Sequence, residues 1–167
     1  PPAPNLAKAL DGYAGRKAVT AGEAFDPTPA NLDARLKKET IGTVKVGLLP
    51  RKTRGETATV QIALRFGNEE SLANRRHVSD LAADMLDRGS KNNTRQQLTD
   101  KLSKLGAKLG ITTEVGIILV KVTAKRADLT AALELVTDVL RQPTFPEKEF
   151  ELLKTESIDQ LDKGRTE

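Results

Sequence analysis

The sequence predicts an α+β fold built from two strand–strand–helix–helix units, ββαα–ββαα. Three observations carry this. Apolar residues alternate with polar ones in paired segments, and each pair is followed by two segments of helical periodicity. Glycines stand where helices should stop. The order of elements then repeats. Strands in pairs and helices in pairs argue for an antiparallel or mixed sheet with the helices packed on one face.

The elements follow in order. Residues 1–38 hold five of the eight prolines, together with Gly12, Gly15 and Gly22. Proline fixes φ and removes a backbone donor, so long regular structure is not expected there. The segment reads as an extended interdomain connector, with one helical turn at 6–10, and 39–167 as the folded domain. The run Val-Lys-Val-Gly-Leu at 44–48 alternates as a strand, and a basic turn follows at 50–55. Ala58, Val60, Ile62, Leu64 and Phe66 then share one strand face, opposite Thr57, Thr59, Gln61 and Arg65. A helix is predicted over 71–87, with Val78, Leu81, Ala82, Met85 and Leu86 as its apolar stripe and Gly89 as its stop. Thr94 and Gln97 form a T-x-x-Q capping box for a second helix carrying Leu98, Leu102 and Leu105, which Gly106 ends. Leu109, Ile111 and Thr113 start the second unit. Gly116 turns the chain into a strand with Ile118, Val120, Val122 and Ala124. Asp128 can cap a helix with Leu129, Leu133, Val136 and Leu140. A last helix carries Phe150, Leu153, Ile158 and Leu161.

Composition bounds the chemistry. Aromatics are 3% and Trp is absent, so the core must be aliphatic. The formal net charge of +4 comes from 27 basic and 23 acidic residues mixed along the chain, which does not single out nucleic acid. With no Cys, disulfides, thiolate zinc sites and Cys nucleophiles are excluded. No apolar run approaches the ~18–20 residues of a membrane-spanning helix. The chain starts at Pro1 rather than Met, which reads as either a processed protein or a piece of a longer one.

There is a single histidine, and no G-x-S-x-G elbow or phosphate-binding glycine loop accompanies it. His77, Asp80, Asp84 and Asp87 recur on one face of the first predicted helix. An imidazole with carboxylates can hold a divalent metal, but a solvated helix face accounts for the same residues, and one His is thin support for zinc. Arg51, Lys52 and Arg54 either meet acidic groups of a peptide or partner, or form a solubilising turn.

The run Met-Leu-Asp-Arg-Gly-Ser at 85–90 resembles the segment after the metal motif of the pitrilysin/insulinase family of zinc peptidases. Thr-Arg-Gln-Gln-Leu at 94–98, Leu-Gly-Ala at 105–107 and Phe-Pro-Glu-Lys-Glu-Phe at 145–150 resemble later segments of that family, in the same order. The likeness covers about 40–164. It implies a partial pitrilysin-type metallohydrolase domain. The family motif is H-x-x-E-H, with two zinc ligands and a general base. Alignment on Met85 carries its first His to Asp80, its Glu to Ala83 and its second His to Asp84, and none is kept. Glu156 is the nearest counterpart of the family's further ligand.

The resemblance therefore implies a degenerate, non-catalytic repeat domain with no catalytic or metal site and no cofactor of its own. Zinc is expected in the catalytic half of a parent zinc metalloendopeptidase. The implied partners are that catalytic half and a peptide substrate, with this chain forming part of the substrate chamber. The alternative is a structural core-type subunit of a larger complex with no proteolytic role. A weak metal-dependent hydrolase using His77, Asp80 and Asp84 is a third reading. The resemblance also implies export to a periplasm, with mitochondria as the alternative.

Overall fold

The computed structural model describes residues 18–165. The helical turn expected at 6–10 lies outside them. The chain divides into two compact units, Pro1–Gly55 and Glu56–Glu167.

In the first unit, helix α1 (Pro29–Arg35) opens with proline at its first turn, where a missing N–H costs no helical hydrogen bond. Asp26 prepares this start. Its carboxylate accepts from the Thr28 N–H at 3.1 Å and the Thr28 hydroxyl at 2.9 Å. Strands β1 (Lys37–Ile41) and β2 (Val44–Leu48) form an antiparallel hairpin, with Gly42 at φ 61° in its tight turn. From sequence, 1–38 is expected to be extended and 44–48 to have no strand before it. The described part instead holds α1 and the start of β1. Lys-Lys-Glu-Thr-Ile has no apolar alternation to announce a strand, and the register of β2 supplies it. Arg51, one of the three basic turn residues, lies over the Phe25 ring at 5.1 Å, and Arg35 lies over the same ring at 5.6 Å. The Lys52 carbonyl accepts from the Glu23 N–H at 3.0 Å. These turn residues are thus joined to their own unit.

The second unit is α+β, with an antiparallel sheet of order β3-β5-β4. Its strands are β3 (Thr57–Arg65), β4 (Lys108–Glu114) and β5 (Ile117–Lys125). Gly116, at φ 73°, turns β4 into β5. A Cβ there would come within 2.3 Å of the Gly67 carbonyl oxygen, so only glycine fits. The register sets Val122 between Val60 and Leu109, and Val120 between Ile62 and Ile111, on one face. Helix α4 (Leu129–Arg141) lays Ala132 and Val136 on Val120, Val122 and Ala124, all of them buried. Helices α2 (Arg76–Leu86) and α3 (Arg95–Lys104) add Leu86, Leu98 and Leu102 around Val139. The core is aliphatic throughout.

Helix starts follow local chemistry. Thr94 and Gln97 make the expected reciprocal cap, with bonds of 3.3 and 2.9 Å. Helix α2 begins five residues later than the sequence suggests, because Asn74 stands at φ 60°, outside helical geometry. Before it, Asn68 and Ser71 close a turn by exchanging side-chain bonds with each other's N–H at 2.9 Å. Asp128 makes no capping bond to α4, which is entered through a short 3-10 turn instead. In helix α5 (Glu147–Gly164) only Leu153 of the predicted stripe is buried, while Ile158 and Leu161 are 49% and 70% exposed.

One polar cluster fixes the loop between α2 and α3. Asp138, on α4, accepts hydrogen bonds from the Ser90 hydroxyl, from Asn92 Nδ2 at 2.6 Å and from Asn93 Nδ2 at 2.9 Å. These donors, Ser90 first, hold its carboxyl below the ordinary carboxylate range, with Lys101 adding a smaller favourable field. A carboxyl with a lowered folded pKa stabilises the fold above its unfolded value, and that contribution is lost as pH falls through the folded value. Asp138→Asn should therefore be less stable than the parent at neutral pH. The gap should close as pH drops below the ordinary Asp value of about 3.9. Urea unfolding across pH measures this, and a gap that persists unchanged into acid would contradict it.

Candidate functional site

Helix α2 carries the three positions to which the resemblance brings the H-x-x-E-H motif. Their environments differ. Asp80 is half-buried, and its Oδ1 accepts from the Thr113 hydroxyl of β4 at 2.7 Å. Ala83 is 2% exposed and has no polar side-chain atom. Asp84 is exposed. His77 and Asp87, the other members of the acidic face, are also exposed, and the four side chains do not converge. Among the described residues no group of three or more His, Cys, Asp or Glu could hold a metal ion. Asp87 keeps surface area, but crowding desolvates its carboxyl and raises its pKa, against the smaller lowering fields of Arg88 and Arg95.

The apolar stripe read from the sequence turns out to split. Leu86 packs into the core around Val139. Val78, Leu81, Ala82 and the buried Met85 line an apolar groove of about 580 Å³ against Phe145 and Phe150. Phe145 is held at φ 46° there. On the other side of α2, Asp80, Ser79 and Thr113 line a smaller cavity of about 280 Å³ with Glu69 and Glu114.

Glu156, the nearest candidate the resemblance offers for the family's further ligand, faces a cation supplied by the protein. Arg88 Nη2 donates to Glu156 Oε2 at 3.0 Å, and Arg88 Nη1 lies 3.7 Å from Glu149 Oε2. Arg95 joins Glu149 at 3.1 Å. The Arg88 Nε donates to the Asp84 carbonyl at 3.3 Å, and the side chain is 9% exposed. No local pattern announces this pairing, because 68 residues separate Arg88 from Glu156.

The whole 85–90 run now has a physical role. Met85, Leu86, Arg88 and Ser90 are all buried. A Cβ on Gly89 would come within 3.1 Å of Pro146 and of Thr144, so glycine lets the 143–146 segment approach. Gly89 also accepts from the Thr144 N–H at 3.1 Å. The run is the junction at which α2 meets α4 and α5.

The family model described as Insulinase (Peptidase family M16) matches residues 47–164. The chain belongs to the insulinase family. A crystal structure described as the peptidase M16 inactive domain from Pseudomonas fluorescens is similar to it, with 18% sequence identity and a TM-score of 0.59. The match covers 67% of this chain and 27% of that one, so the chain spans little more than a quarter of its relative's length. At that identity the likeness speaks for the fold. No similar protein was found among curated sequences.

The residues present do not fit the zinc that the insulinase family implies. Zinc sites draw on imidazole, thiolate and carboxylate donors held together in a tetrahedron. Ala83 offers no donor, Asp80 is engaged by Thr113, and Glu156 is engaged by Arg88. No helix among the described residues is long and apolar enough to cross a membrane.

Proposed function

We propose that the chain is a non-catalytic domain of a multidomain zinc-dependent peptidase, where it forms part of the wall of the substrate chamber opposite a catalytic half. The observation that carries this reading is the closed state of α2. The position given to the general base is a buried methyl group, and the flanking carboxylate is bonded to a neighbouring strand. The likeness to a structure described as an inactive domain of the same family supports it. A domain of this kind contributes surface rather than chemistry, and its partners are the catalytic half and a peptide.

The test uses the full-length protein carrying Asp80→Ala and Asp84→Ala together. Zinc content and the kcat for peptide hydrolysis should stay within about twofold of the parent, since neither carboxylate is asked to act on a reacting atom. Stoichiometric zinc that disappears with these two carboxylates would overturn the reading in favour of a metal site on this helix. A full-length protein that hydrolyses no peptide would overturn the chamber role.

A further inference from the structure

The face of the β3-β5-β4 sheet opposite the core carries an unbalanced charge. Outward residues are fixed by register. Thr57 pairs with Lys125, Thr59 with Thr123, and Gln61 with Lys121, while on the other side Thr123 pairs with Lys108 and Lys121 with Gly110. The Thr59 and Thr123 hydroxyls, 3.2 Å apart, confirm that these rows share one face. Lys108 is therefore directly across from Thr123 and diagonal to both Lys121 and Lys125. Diagonal neighbours on a sheet are about 7–8 Å apart. All three lysines are exposed.

No carboxylate stands in these rows. Glu114 is at the far end of the face, in the row of Ile117 and Arg65. Among the described residues, none of the three ammonium groups takes part in an ion pair. Like charges at this spacing repel, and the fold gains nothing from placing them together. Beside Lys121 the face is bare, because a Cβ on Gly110 would meet nothing within 4 Å. A glycine inside a strand commonly marks a place where another chain comes close.

We propose that this end of the sheet face binds an acidic segment of the substrate peptide. An extended peptide advances about 3.3 Å per residue, so alternate side chains fall about 6.6 Å apart on one side. That spacing is close to the lysine diagonals, and the Gln61 side chain supplies a neutral hydrogen-bonding group beside Lys121. The rows contain no aromatic residue for a base to stack on, which disfavours single-stranded nucleic acid. The identity of the peptide as substrate rests on the chamber reading above; the charge pattern does not.

Fluorescence anisotropy on the full-length protein tests this with labelled peptides alternating Glu with Ala, Gln with Ala, or Lys with Ala. The Glu peptide should bind about tenfold more tightly than the Gln peptide, the combined effect of three exposed ion pairs, and the preference should fade with salt. Changing Lys108, Lys121 and Lys125 together to Gln should abolish the preference. Changing all three to Glu should transfer it to the Lys peptide. The same number of changes elsewhere, Lys91→Gln, Lys104→Gln and Lys148→Gln, should leave it intact. Equal binding of the Glu and Gln peptides, or equal effects of the two Gln triples, would overturn the proposal. So would an oligonucleotide that binds more tightly than the Glu peptide. Binding decides this inference, whereas zinc content and hydrolysis decide the chamber reading, so the two fail separately.

Discussion

Ala83→Glu should destabilise the second unit by about 3 kcal/mol or more, the cost of forcing a carboxylate into a site that holds a methyl group. Ala83 is 2% exposed. Size and charge both contribute, and pH separates them. A buried Glu has its folded pKa raised, so the charge component is absent below the ordinary value of about 4.3 and grows as pH rises through the folded value. Ala83→Gln carries the size component alone and should show no such pH dependence. Urea unfolding of both variants measures the difference. A Glu variant as stable as the parent at neutral pH would mean that the position opens to solvent, as a working general base must.

The second large effect concerns Arg88. The pair is asymmetric, because the guanidinium is 9% exposed while Glu149 and Glu156 are 26% and 46% exposed. Removing the carboxylates leaves a charge that water cannot reach, whereas removing the arginine leaves carboxylates that water can. Glu149→Gln with Glu156→Gln should therefore cost about 3 kcal/mol. Arg88→Met, which keeps an aliphatic stem in the same space, should cost about 1 kcal/mol, since Glu149 retains Arg95 and exposed carboxylates are readily solvated. Combining all three changes should recover much of the loss of the double variant. Equal costs for the two removals would show that something else balances the guanidinium.

Much of the fold could be read from local signals, and the exceptions have local explanations too. The strands around Val60 and Val120 alternate cleanly because one face is core and the other is not. The Thr94 cap and the Gly106 and Gly116 turns are written in residues that few other positions tolerate. Strand β1 was missed because both its faces are exposed, so no apolar period marks it. The start of α2 was placed early because Asn74 at a positive φ leaves no trace in hydropathy. The stripe of α2 was assigned to one face, although it serves a groove as well as a core.

The candidate site was legible as a sequence loss and illegible as geometry. Asp80, Ala83 and Asp84 can be set against a motif by eye. That Thr113 would bind Asp80, or that Arg88 would take Glu156, depends on residues 33 and 68 positions apart. The three outward lysines are likewise unremarkable in a mixed-charge sequence, and only the register gathers them.

The junction at 85–90 also bears on how long the folded state lasts. Its ties reach across 48 residues from Ser90 to Asp138 and 68 from Arg88 to Glu156, and Arg95, just beyond it, reaches 54 to Glu149. Each requires a long loop to close, and the entropy of closure is spent before the contact is gained. Contacts of this kind tend to form after the main barrier has been crossed. Their loss then quickens escape from the native state more than it slows arrival there. The Arg88 and Glu149/Glu156 variants should thus reveal themselves in the unfolding limb of a chevron, with the folding limb nearly unmoved. The segment that resembles the one following a metal motif would then act here as a clasp, governing the lifetime of the domain.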